Sequence, residues 1–401
     1  ALVELGRNLF FDQELAGRRN ISCASCHHPT LGSADAQSQS RAQGAIGLGP
    51  ARRANGDEFF QFLPRNALSL WNRGVPDWTV MFWDGRLGGT PEDGFFSPAG
   101  DDTPQNFSHA LALFSIFPIT PDEEMRGFPD QTTDRFGNPN ELAALSDTDF
   151  VEIWDGVTAR IVANDGYDEL LAAAFPGTPD SDISIVELGE AMGAFMAEGF
   201  VALDTPFDRY LAGDDSAMSA AAKRGALLFY GRANCASCHS GGLLTDLEFH
   251  NIAAPQVGTG NQPEAPLDFG RGRVTGLTSD NFKFRTPGLR NIALEAPYFH
   301  NGAYATLEDA VRHHLDPAAA LANYDDSQVE PELAGTFVDD PDIINTLLYT
   351  IDPELGVSGP PLNEGEFEDL MAFLNSLTDP SSTNLGDLIP FSLPSGLSLA
   401  D

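Results

Sequence analysis

The sequence predicts a mainly α fold, built from two copies of one small helical module with long irregular loops between them, and three observations carry that prediction. Two stretches repeat: LVELGRNLFFDQELAGRRNISCASCHHP at 2–29 and SAAAKRGALLFYGRANCASCHSG at 219–241 each read as an amphipathic helix, a glycine, a short loop and a Cys-x-x-Cys-His pentapeptide. Strand-like alternation is scarce. Gly/Pro/Asp-rich stretches at 30–66, 88–107, 126–141 and 254–281 are long for plain connections and read as loops wrapped round a ligand.

In chain order, the first repeat opens the molecule. VELGEAMGAFMAEGFVAL (186–203) is a further helical run, read as leading through DTPFDRYLAGD into the second repeat. NEGEFEDLMAFLNSL (363–377) places Phe367, Leu370, Met371, Phe373, Leu374 and Leu377 on one face, which is expected to pack on a module core. At 401 residues the chain has room for two domains, expected at 1–180 and 181–380, followed by a tail over 381–401. No run of about twenty apolar residues exists to span a membrane. The opening ALVELGRNLFFD has no basic stretch followed by an apolar one, and reads as a mature chain whose export signal has been removed.

Acidic residues number 59 against 22 basic ones, a formal charge of −37. Nucleic acid is excluded as a partner, because phosphate contacts need clustered cations. The charge reads either as solubility and salt adaptation or as an acidic face that steers a basic redox partner. All four cysteines, Cys23, Cys26, Cys235 and Cys238, lie in the two pentapeptides, so none remains for a structural disulfide.

Cys-x-x-Cys-His is the attachment motif of covalent haem c: two thiols on one turn add to the porphyrin vinyls, and the adjacent histidine ligates iron. A zinc ribbon would need four ligands in one cluster, and a thioredoxin-type pair needs neither the histidine nor a repeat. Two haem c groups are therefore expected, with His27 and His239 as proximal ligands, in two c-type cytochrome domains. Such attachment implies an exported, usually periplasmic, protein.

Taken together, LGRNLFFDQELAGRRNISCASCHHP, PRNALSLWN, FWDGR, TPFDRYLAGD, RGALLFYGRANCASCH, FHNIAAP and FRTPGLRNIALEAPYFHNGAYATLEDAVRHH resemble the bacterial dihaem cytochrome c peroxidase family, including its MauG-like (MbnH-like) branch, over nearly the whole chain. The resemblance implies a peroxidatic haem in the N-terminal domain and an electron-transfer haem in the C-terminal one. In ordinary members a second histidine follows the first Cys motif; here only His28 occurs between His27 and His109, so the first haem is expected five-coordinate or water-bound, with His109 as an occasional visitor. By resemblance Glu124 of PITPDEEM (118–125) is the acid/base that moves a proton between the peroxide oxygens, with Met125 beside it as a soft wall. Phe114 stands where the family has a glutamine. Both DEEM as a solvated helix start and Trp83 of FWDGR as plain core packing remain open, but the resemblance makes Trp83 the relay between haems. Arg86 is expected to pair a haem propionate, and Asn66 to help hold a calcium ion between the haems or to serve as a turn amide.

The second haem's usual methionine is missing: TSDNFKFRTPGLRN holds Asn281 and Phe282 there, and no methionine occurs from 219 through 370. The MauG-like branch uses a tyrosinate, which favours higher iron oxidation states. Tyr298 is the expected ligand and Tyr304 the alternative, with His300 making a supporting hydrogen bond. His250, His313 and His314 show no metal-ligand spacing, and His313–His314 are expected to end a helix. The resemblance implies a hydrogen peroxide-dependent oxidase acting on residues, tryptophan in particular, of a docked partner protein through a high-valent dihaem state. The alternatives are a conventional peroxidase drawing electrons from a small cytochrome or cupredoxin, and a carrier without turnover. Trp71, Trp78, Trp83 and Trp154 are the indoles available as an exit for the oxidising equivalent.

Overall fold

In a computed structural model, residues 1–54, 56, 61–357 and 359–399 are described. Among them the N-terminal half carries α1 (Leu2–Phe11), α2 (Cys23–Cys26), α3 (Ala110–Ser115), α4 (Phe150–Val162), α5 (Asp168–Ala174) and α6 (Ile185–Gly199). The C-terminal half carries α7 (Pro206–Leu211), α8 (Ala220–Phe229), α9 (Arg271–Thr275), α10 (Leu307–Leu315), α11 (Pro317–Ala322), α12 (Pro341–Tyr349) and α13 (Glu364–Asn375). Strands among the described residues are short antiparallel pairs and one three-stranded sheet of Val80–Met81, Leu87–Thr90 and Gly94–Phe96. No helix among them is long and apolar enough to cross a membrane.

The sequence repeat becomes a repeated helix crossing. In the first half α1 lies against α6; in the second α8 lies against α13. Gly6 and Gly225 occupy matching places in the repeat, and a Cβ would sit 1.8 Å from the Ala191 carbonyl oxygen at the first and 1.9 Å from the Asp369 carbonyl oxygen at the second. Only glycine admits backbones this close. Four residues on, Phe10 meets Phe195 with ring centroids 5.2 Å apart, and Phe229 meets Phe373 at 5.0 Å. The run at 186–203, read from sequence as an approach to the second module, is thus the helix that closes the first.

Two cores follow from these crossings. One runs from Leu5 to Ala202 and includes Leu393; the other runs from Phe207 to Leu377, with a small satellite of Ala253, Phe282, Leu321 and Leu347. The first core therefore continues past the expected boundary at 180, because α6 buries Leu188, Met192 and Phe195 against it. The tail returns to that core as well: Leu385, Leu388 and Leu393 pack on it, and Ser395 Oγ donates to Asp12 Oδ1 at 2.9 Å.

The seam between the halves is polar. The buried Arg65 guanidinium bonds Asp84 of the first half at 2.6 Å and Asp268 of the second at 2.7 and 2.9 Å. Arg285 N–H donates to the Trp83 carbonyl at 2.7 Å, and Arg271 Nη1 to the Gly85 carbonyl at 2.9 Å. Gly85 turns with φ +65°, and a Cβ there would stand 2.2 Å from the Phe249 ring, so the FWDGR loop closes on the second half only with glycine at this position.

Candidate active site

Each Cys motif opens onto a slot, one in each half of the chain. Cys26 and His27 line the first; Cys235, Cys238 and His239 line the second. The two histidines are held alike. His27 Nδ1 bonds the Ser33 carbonyl and His239 Nδ1 the Leu244 carbonyl, both at 3.2 Å, which leaves each Nε2 for a metal. Burial pushes both imidazoles down to about 4, so they are neutral, the ligating form. Burial also pushes the Cys23 and Cys235 thiols up to about 12, which is wrong for a thioredoxin-type thiolate.

Unpartnered buried polar atoms test whether haem fits. Arg73 Nη1 and Arg285 Nη2, both on the wall of the C-terminal slot, have no partner, and neither does Ser40 Oγ in the N-terminal slot. Burial lowers Arg285 to about 10. Both side chains are otherwise held by backbone carbonyls, Arg73 by Ser69 and Arg285 by Phe82 and Thr286, and the one nitrogen that each leaves open in an apolar slot is a seat for a carboxylate, which a propionate-bearing macrocycle would bring. The residues therefore fit two haems, held by Cys23, Cys26 and His27 and by Cys235, Cys238 and His239, whose iron would supply the redox chemistry.

The far wall of the N-terminal slot holds Glu124, Glu123, Arg86, Phe82 and Phe114. Glu124 rides on a π-type turn, Asp122–Arg126, a wide-turn geometry that recurs at functional sites. Buried Arg126 anchors the turn through Thr120 O at 2.9 Å and through Asp147. Burial pushes Glu124 up to about 7 against the opposing pull of Arg86, and Glu123 up to about 8, with its hydrogen bond to Asp122 adding to the burial. Met125, expected as a wall, is instead buried in the first core, away from the slot lining that Glu124 joins. Arg86 lies in the slot but is already engaged, at 3.1 Å from Asp84 Oδ2 and 3.6 Å above the Phe82 ring. His28 bonds Thr30 Oγ1 at 2.8 Å and His109 caps α3 with Nε2 on the Val75 carbonyl at 3.0 Å; neither lines the slot.

Trp83 lines both slots, and its Nε1–H donates to the Asn66 carbonyl at 3.0 Å. Trp71, Trp78 and Trp154 are at most 3% exposed, so no indole but Trp83 reaches either slot's solvent-facing wall. Asn66 is otherwise bound through N–H to the His300 carbonyl and through Nδ2 to the Gln37 carbonyl, both at 2.7 Å. The Arg65 guanidinium beside it balances Asp84 and Asp268.

In the C-terminal slot the hydroxyls of the two tyrosines expected as ligands are bonded to other protein groups. Tyr298 lines the slot, but its hydroxyl donates to the Ile292 carbonyl at 3.0 Å and burial moves the phenol further from ionisation. Tyr304 donates to His313 Nδ1 at 2.9 Å and is not on the wall. His300 lines the slot with Nε2 unpartnered, its ring stacked 3.5 Å from Phe284. His250 is clamped between Asp352 at 2.6 Å and Asp246 at 3.0 Å; a metal on it and Cys238 would compete with haem attachment for that thiol. The group facing His239 is His314, which sequence reading set aside. Its signal was in the helix period: Leu307, Ala310, Val311 and His314 recur at i, i+3, i+4 and i+7, and all line the slot.

Comparison with known proteins agrees with this geometry. The model of the di-haem cytochrome c peroxidase family matches residues 1–216. Methylamine utilization protein MauG of Methylorubrum extorquens is 30% identical over 78% of this chain and 68% of its own length. The cytochrome c551 peroxidase of Pseudomonas aeruginosa is 29% identical over 77% of this chain and 70% of its own. Among solved structures, a MauG-like protein associated with microbial copper homeostasis superposes with a TM-score of 0.64 at 25% identity, covering 97% of this chain and 92% of that one. The dihaem peroxidase BthA of Burkholderia thailandensis shares the fold, with a TM-score of 0.62 at 22% identity. A family match over more than half the chain, joined to two Cys-x-x-Cys-His slots that share a tryptophan, makes the protein a peroxidase-type oxidoreductase of the dihaem cytochrome c peroxidase family.

Proposed function

We propose that the protein is a MauG-like oxidase that uses hydrogen peroxide to oxidise residues, tryptophan above all, of a docked partner protein. The observation that carries the reading is Trp83, which touches both slots and so connects a peroxide site to a second redox site. Glu124 takes the proton from the near oxygen of peroxide and returns it to the far one; a carboxyl held near 7 can do both at neutral pH. Phe82 and Phe114 line that wall, and the Arg86 cation favours the ionised form of Glu124 against the burial that opposes it. His27 is the sole histidine on the N-terminal wall and no methionine or tyrosine joins it, which supports reaction with peroxide without prior reduction. No methionine lines the C-terminal slot either, so the high-potential electron store of a conventional peroxidase has no ligand there. The charge of −37 suits a basic partner, and covalent haem attachment suits an exported, periplasmic location.

The test is stopped-flow mixing of the fully ferric protein with one equivalent of peroxide, beside steady-state oxidation of a reduced small cytochrome. Prompt reaction of the ferric protein with slow cytochrome turnover is expected. Reaction only after one-electron reduction, with fast cytochrome turnover, would establish the conventional peroxidase instead.

A further inference from the structure

Two imidazoles face one another across the C-terminal slot. The rings of His239 and His314 lie 6.5 Å apart between centroids, inclined at 61°. A metal bond of about 2 Å on each side, plus about 1 Å from each ring centre to its nitrogen, comes to about 6 Å, so the gap is the right width for one metal ion between two nitrogens. Both rings are prepared in the same way. His239 Nδ1 bonds the Leu244 carbonyl at 3.2 Å and His314 Nδ1 the Ala310 carbonyl at 2.8 Å, which makes Nδ1 the protonated nitrogen and leaves Nε2 as a free donor. The Phe299 ring, 5.4 Å from His314, braces it.

The neighbouring groups are engaged or elsewhere. Tyr298 donates to a backbone carbonyl, and His313 bonds Tyr304 through Nδ1 and the Ile252 carbonyl through Nε2 at 2.8 Å. His300 also lines the slot with Nε2 unpartnered, but its ring is stacked on Phe284 at the seam, whereas the ring paired with His239 is that of His314.

We propose that His314 is the second axial ligand of the haem held by Cys235, Cys238 and His239, so that this haem is a bis-histidine centre. The inference rests on haem attachment at the second motif and not on which substrate is oxidised. Two neutral imidazoles neither raise the potential as a methionine thioether does nor place an anion on iron as a tyrosinate does. Their inclined planes further predict a broad, strongly anisotropic low-spin EPR signal, since parallel planes give the narrower rhombic one.

The experiment uses the holoprotein with a measured content of two covalent haems, so that loss of haem is told apart from change of ligand. Near-infrared magnetic circular dichroism and EPR of the ferric wild type are expected to show one bis-imidazole haem; a methionine or tyrosinate charge-transfer band would overturn the proposal. His314→Ala is expected to convert one haem equivalent from low spin to high spin, with added imidazole restoring the low-spin signal, while Tyr298→Phe and His300→Gln leave it in place. Retention of the low-spin signal in His314→Ala, or its loss in His300→Gln, would overturn the assignment. Should His314→Ala lose its haem, His314→Met answers the same question by exchanging the bis-imidazole band for the methionine one and raising that haem's potential.

Discussion

Trp83 donates its indole N–H to the backbone carbonyl of Asn66 across 3.0 Å, and both residues form part of the wall of both slots. That bond fixes the indole plane where the two halves meet, close beside the Arg285 N–H bond to Trp83's own carbonyl. Substituting Trp83→Phe keeps an aromatic wall but removes the easily oxidised indole. Peroxide consumption at the N-terminal slot is expected to stay within about twofold, while transfer between the two slots slows by more than about tenfold, a barrier increase of about 1.4 kcal/mol or more. Freeze-quench spectroscopy of each haem after peroxide addition measures this; equal transfer in the variant would return Trp83 to a packing role.

Glu124 gives the reaction its pH dependence. Its carboxyl titrates near 7 because burial disfavours the charge. As the proton acceptor it works only when ionised, so the rate of peroxide consumption is expected to rise with pH through about 7 and level off above it. Glu124→Gln should lower the rate by about 10²–10⁴-fold and flatten the profile. Retention of the rate in the variant, with an inflection nearer 8, would shift the role to Glu123, which burial and its hydrogen bond to Asp122 push up to about 8.

Arg65 holds the seam, and its loss should be felt as stability and as pH dependence. Asp84 and Asp268 are both buried carboxylates held well below the usual range, Asp268 at about 2, against the burial that would raise them, chiefly by the Arg65 charge. Their depressed values stabilise the fold above the unfolded carboxylate range, near 4, and that stabilisation is lost as pH falls toward the folded values. Arg65→Met leaves Asp268 without its cation and Asp84 with Arg86 alone, an expected cost of about 3–5 kcal/mol at pH 7. The deficit relative to wild type should shrink below about pH 4, where the orphaned carboxyls protonate. Urea unfolding at pH 7 and at pH 4 checks both the size and the direction.

The repeat, the mainly helical character and the pairing of each histidine with two cysteines were legible in the sequence because each is a local pattern. Glu124 was legible as a position, whereas its neighbour Met125 packs in the first core, a tertiary contact that has no signature in DEEM. His314 lies outside TSDNFKFRTPGLRN, where the second haem's usual ligand is expected, and its place on the slot is carried by the i, i+3, i+4, i+7 face running from Leu307 to His314. Assignment of α6 to the first core was invisible for a different reason. The run at 186–203 is adjacent in sequence to the second repeat, and only the fit of Gly6 against Ala191 shows which partner it has.

The matched glycines give the last prediction, because they test whether the two modules are separate cooperative units. Gly6→Ala and Gly225→Ala each drive a Cβ into a backbone carbonyl at under 2 Å, so α1 must move off α6 in one variant and α8 off α13 in the other. Such overpacking costs about 1–3 kcal/mol apiece. Because the two crossings belong to different hydrophobic cores, their effects should add within about 0.5 kcal/mol in the double variant if the cores unfold together without sharing strain. Each variant should also disturb its own slot alone: Gly225→Ala shifts Phe229 on the C-terminal slot wall and alters that haem's spectrum, while the N-terminal haem reports no change. Denaturant unfolding monitored at each haem separates the cases. Two transitions that move independently mean two modules stitched at Arg65, whereas one transition that moves in both variants means that the seam and the returning tail bind the halves into a single folding unit.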